Sequence, residues 1–129
     1  MRRRALLLAL SAALVASSPV PAAPALLHTA LVKSAPAKAE TLATPPTEVR
    51  LWFSQPIDAA LASIELLKAD ASPLAKLAVT ADPEDKKVVF GKLETPLLAG
   101  TYIVSWKTSS SDGHVVKGKY LFTVAAKAA

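Results

Sequence analysis

Cysteine is absent from this chain of 129 residues. Disulfides, thiolate zinc sites, iron–sulfur clusters, a cysteine nucleophile and a lipid-modified N-terminal cysteine are therefore excluded. Methionine occurs only as Met1, and histidine only as His28 and His114. Any metal site must draw on those two imidazoles, on carboxylates and on backbone groups. Glycine is scarce as well, with four residues. They form no phosphate cradle and no cofactor motif. Strong charge of one sign is also missing once the N-terminus is set aside. The formal net charge is +5, but of the 15 basic residues three are Arg2, Arg3 and Arg4, which leaves 12 against 10 acidic ones, a net +2. The lysines are scattered, so nucleic acid is not an expected partner.

What is present at the N-terminus has the layout of an export signal. Three arginines precede an apolar run from Ala5 to Ala16, then small residues and prolines from Ser17 to Ala25. The run is too short for a comfortable transmembrane span, and a short membrane anchor is the alternative reading. Residues 1–27 are thus expected to be a signal peptide, with the cut after Ala22, Ala25 or Leu27. Residues 28–125 form the domain, and 126–129 a frayed tail.

The domain reads as short strands separated by Pro, Gly and Asp. In "TEVRLWFS", Val49, Leu51 and Phe53 face one side while Glu48, Arg50 and Trp52 face the other, the period of a half-buried strand. "ASIELLK", "KLAVT" and "KKVVFG" are further candidates. "GTYIVSWKTSS" aligns Tyr102, Val104 and Trp106, and "KGKYLFTVA" aligns Tyr120, Phe122 and Val124. "IDAALAS" could add one helical turn. About seven antiparallel strands at regular spacing predict an all-β protein, an immunoglobulin-like Greek-key sandwich or barrel. In "LLAGTYIVSW", a tyrosine two residues after a strand-opening glycine predicts a tyrosine corner, its hydroxyl bonding back to the preceding loop.

Chemistry concentrates at "SSSDGHVVKG". If Asp112 to His114 is extended, their side chains share a face, and Gly113 between them leaves room for a ligand. An imidazole with a carboxylate suits Cu(II), Zn(II) or Ni(II). His28 lies where the signal ends. At a mature N-terminus it would offer its amine and its ring, and with Asp112 and His114 would complete four-coordination. A serine triad built on His114 and the neighbouring serines lacks any implied geometry.

The segments "HTALVKSAPA", "TEVRLWFSQPI" and "LLAGTYIVSWKTSSSDGHVVKGKYLFTV" resemble, in order and spacing, the CopC family of periplasmic copper-resistance proteins. The resemblance implies a Greek-key β fold. It also implies a Cu(II) site made by the N-terminal histidine amine and ring with the Asp and His of a D-x-H motif, here His28, Asp112 and His114. Some members carry a methionine-rich Cu(I) site, which this chain lacks the residues to build. Many have a glutamate after "F-S", where this chain has Gln55. The implied function is sequestering copper or passing it to an inner-membrane copper transporter of the CopD type, by a monomer that is not an enzyme. Cutting before His28 places Leu27 at a position where signal peptidase prefers a small residue. A cut after Ala25 would make His28 third and give a chelate independent of Asp112 and His114. Two other readings stand beside this one: an N-terminal-histidine copper monooxygenase, and a metal-free immunoglobulin-like interaction module.

Overall fold

Alternation in sequence becomes inside and outside in the computed structural model, which describes residues 13–16, 29–110 and 113–126. Nine strands are present among them: β1 (Leu31–Ala35), β2 (Thr41–Leu42), β3 (Glu48–Phe53), β4 (Ser63–Lys68), β5 (Pro73–Leu77), β6 (Val79–Ala81), β7 (Val88–Lys92), β8 (Gly100–Ser109) and β9 (Val115–Val124). The order β1-β3-β7-β6 makes a four-stranded first sheet, and β2-β9-β8-β4-β5 a five-stranded second sheet. The fold is a two-sheet sandwich. The "IDAALAS" segment contributes a single 3-10 turn, Ala59–Leu61, whose Ala60 N–H is capped by the Asp58 carboxylate.

The core forms where the two alternating faces meet. Val49, Leu51 and Phe53 of β3 project from the first sheet. Tyr102, Val104 and Trp106 of β8 and Tyr120, Phe122 and Val124 of β9 project from the second, and all nine are buried. Edge-to-face packing of Phe53 on Trp106, with centroids 5.3 Å apart, joins the two sheets near one end. Such a pair adds about 0.5–1.5 kcal/mol beyond the burial of its area. Gly118 stands directly opposite Trp106 in the β8–β9 register. A Cβ there would lie 2.6 Å from the indole ring, so only glycine allows the ring to lie flat on β9.

The tyrosine corner is present. The Tyr102 hydroxyl donates to the Leu98 carbonyl at 2.6 Å, fixing the loop that precedes β8. That loop and β5 border a groove of about 1030 Å³ at the sandwich end remote from Phe53.

Three expectations need correction. The described residues hold nine strands rather than about seven, because β1 and β2 give no periodic signal. β1 is an edge strand with a bulge between Leu31 and Lys33, and β2 is two residues long. β2 also pairs in parallel with β9, so the sheets are not wholly antiparallel. Finally, "KLAVT" is not one strand. Its chain leaves the second sheet at Leu77 and enters the first at Val79.

Two outcomes follow from this packing. Gly118→Ala forces the Trp106 ring against Phe53, and overpacking of this kind is expected to cost about 1–3 kcal/mol, read as a lowered thermal midpoint. Burial pushes the Tyr120 phenol up to about 12. The folded chain thereby favours the neutral phenol, so this contribution is complete below about pH 10 and is lost as the pH rises through 12. Ultraviolet titration of phenolate alongside denaturant melts checks both the late ionisation and the alkaline loss of stability.

Candidate metal centre

The buried polar side chains of the core, Thr29, Thr108 and Ser110, lie at one end of the sandwich. Thr29 immediately follows His28 in the chain. β1 opens beside the end of β3, with Leu31 paired to Phe53, and Phe53 touches Trp106. Thr108 and Ser110 continue the inward stripe of β8 just past Trp106. Topology therefore brings the start of the domain and the β8–β9 loop to the same end. His28 and Asp112 lie outside the described residues, as does the signal segment except for 13–16.

Backbone and side-chain hydrogen bonds fix the start of the domain. The Ala30 N–H donates to the Ser54 hydroxyl at 2.9 Å, and the Ser54 N–H donates to the Ala30 carbonyl at 2.8 Å. The Thr29 hydroxyl donates to Gln55 Oε1 at 3.5 Å. Gln55, half-buried, thus stands beside the residue that follows His28. A neutral amide there accepts a hydrogen bond without adding negative charge to this end.

The loop is held by Ser110. Its N–H donates to the His114 carbonyl at 2.8 Å, and its hydroxyl to the same carbonyl at 3.2 Å. The Gly113 N–H donates to the Ser110 carbonyl at 2.9 Å, closing a turn. Gly113 has φ +88°, the left-handed region that glycine enters without penalty. The condition that Asp112 to His114 run extended is not met at Gly113, and Asp112 lies outside the described residues. His114 follows directly on this turn. The His114 residue is exposed. The serine beside it bonds the backbone of the loop, which gives Ser110 a structural role.

Among the described residues, His, Asp and Glu form no cluster of three that could hold a metal. His114 alone of the three expected ligands has a described position. Sequence reading missed Thr29, Ser54 and Ser110 as supports of this end. For Ser110 a signal existed: the i, i+2 stripe of Tyr102, Val104 and Trp106 runs on through Thr108 to Ser110.

The CopC domain family model matches residues 31–125. The chain belongs to the CopC family. The match begins three residues after His28. A relative from Escherichia coli named copper resistance protein C is 33% identical over 109 residues, covering 78% of this chain and 83% of its own length. The crystal structure of CopC from Methylosinus trichosporium OB3b superposes with a TM-score of 0.73 at 28% identity, over 79% of this chain and 98% of that one. PcoC from Escherichia coli, described as a methionine-rich copper resistance protein, gives 0.62 at 33% identity, over 75% and 98%. This CopC-family chain, by contrast, has no methionine beyond Met1.

The turn generates a direct test. A Cβ at Gly113 would meet nothing within 4 Å, so space is not the obstacle. The positive φ is, and Gly113→Ala is expected to cost about 1–3 kcal/mol. Either the turn opens, seen as loss of hydrogen-exchange protection at the Ser110 and Gly113 amides, or stability falls by that amount. An unchanged melt with unchanged protection would show that the turn does not need glycine.

Proposed function

We propose that this protein is an exported, periplasmic Cu(II)-binding protein that sequesters copper or passes it to a membrane partner of the CopD type. Copper is its cargo, and no bond is made or broken in the process. The ligands are the His28 amine and ring, a carboxylate oxygen of Asp112 and the His114 imidazole. One observation carries this reading: the domain start at Thr29–Ala30 and the Ser110-braced turn before His114 lie at the same end of a rigid sandwich.

The donor chemistry agrees. Nitrogen and carboxylate oxygen in a four-fold set suit Cu(II). The soft thioether or thiolate ligands that favour Cu(I) have no source in a chain with one methionine and no cysteine. Gln55 beside Thr29 supplies a hydrogen-bonding amide where a carboxylate would add charge. With Gln55 neutral, charge compensation of the metal falls to Asp112.

Titration of processed protein with Cu(II) against a competing chelator tests the ligand set. Loss of a supporting outer contact lowers metal affinity about 10–100-fold, so His114→Ala and Asp112→Ala are each expected to lower it by about 100-fold or more. Protons compete for the imidazole nitrogens, so affinity also falls in acid. Intact mass of the exported chain decides the His28 role. A chain beginning at His28 supports the amine-and-ring chelate, and one beginning at Leu26 or Ala23 removes it. Unchanged affinity in both alanine variants would sink the loop as a copper site.

A further inference from the structure

The two sheets treat their outward cations differently. On the first sheet, Arg50 lies 2.6 Å from Asp82 and 3.3 Å from Glu48. Hydrogen bonds from the Glu84 N–H and the Arg50 guanidinium hold the Asp82 carboxyl below its usual range. Lys33 lies 4.6 Å above the Trp52 ring. On the second sheet, the register sets Lys107 of β8 directly opposite Lys117 of β9, and Lys119 opposite Ser105 on the same face. None of these three lysines has an ion pair among the described residues.

Directly opposed like charges destabilise an antiparallel pair. The adjoining strand offers little relief, since Ser63 stands next to Lys107, and Glu65 beside Ser105 is itself opposite Lys76. Residues two apart on a strand share a face. Along β9 the outward stripe therefore reads Val115, Lys117, Lys119, Leu121, with Val115 63% and Leu121 49% exposed. The lysines are central and the aliphatic residues flank them.

We propose that this lysine and aliphatic face of the second sheet docks on a bilayer surface that carries anionic lipid headgroups. Protein interfaces have the reverse arrangement, with an apolar centre depleted in lysine and a polar rim. A planar anionic bilayer accepts lysines at headgroup level while short aliphatic side chains enter the boundary, and each lysine near the surface strengthens binding several-fold. Docked this way, β8 and β9 bring their connecting loop, with Gly113 and His114, down to membrane level. Delivery of copper there rests on the function proposed above; the docking itself does not.

The test omits copper, so its outcome is separate from that reading. Processed protein is floated with vesicles of phosphatidylglycerol and phosphatidylcholine in equal parts, and with vesicles of phosphatidylcholine alone. Binding is expected on the anionic vesicles at low salt and is screened away near 0.5 M salt, where the Debye length falls to roughly 4 Å. The triple change K107Q/K117Q/K119Q is expected to lower partitioning by roughly 100-fold, at about fivefold per lysine. K86Q/K87Q/K92Q removes the same charge from the first sheet and its β6–β7 hairpin, away from this face, and is expected to change it by only about threefold. Lys107→Glu faces Lys117 with an opposite charge, so it should raise the thermal midpoint while weakening vesicle binding. Equal losses in the two triples, equal binding to neutral vesicles, or no vesicle binding at all would overturn the proposal. The last of these is the result expected if an acidic protein surface were the true partner.

Discussion

The Trp106 ring, laid flat on Gly118 and met edge-on by Phe53, is the contact on which this end of the molecule depends. It fastens β8 and β9 of one sheet to β3 of the other. A side chain larger than hydrogen at position 118 would displace the indole, and Phe53 blocks its retreat. Because Leu31 pairs with Phe53, the same contact fixes where the chain enters the fold. Because β8 continues through Thr108 to Ser110, it also fixes where the loop begins. The Ser110-braced turn before His114 is thereby set on a rigid frame.

Around that contact the core changes character. Elsewhere its buried residues are aliphatic or aromatic, but here Thr29, Thr108 and Ser110 are buried. Buried hydroxyls are tolerated when they are hydrogen-bonded. Thr29 donates to Gln55 and Ser110 to the His114 carbonyl, while the buried Thr108 hydroxyl has no hydrogen-bond partner among the described residues. The cost of burying the Thr29 and Ser110 hydroxyls is accepted where they hold the start of the domain and the turn before His114 in place. At the opposite end the Tyr102–Leu98 hydrogen bond does equivalent work for the loop that precedes β8. The sandwich thus has a polar-braced end and a corner-locked end.

Much of this was legible in the sequence because period two reports burial directly. Val49, Leu51 and Phe53, and the paired stripes of β8 and β9, were readable as inward faces. The Tyr102 corner followed from residue type and place. β1 and β2 were not legible: a bulged edge strand and a two-residue strand leave no period, and their pairing is fixed by distant partners. Nor was the turn at Gly113, since glycine permits extended and left-handed backbone alike and only the Ser110 hydrogen bonds choose between them. The crossing of the chain between sheets at Ala78 was hidden for a similar reason, as "KLAVT" carries no breaker.

By itself the sequence determined which residue types exist for chemistry, which faces turn inward, and that beyond Met1 no sulfur ligand is offered to a metal. Those properties are local, set by side-chain chemistry and by the two-residue repeat of a strand. Only the tertiary structure decided that the domain start and the β8–β9 loop share one end, and that Lys107 stands opposite Lys117. Both depend on strand register and sheet order. Register is fixed by contacts between segments far apart in the chain, which no local repeat can encode.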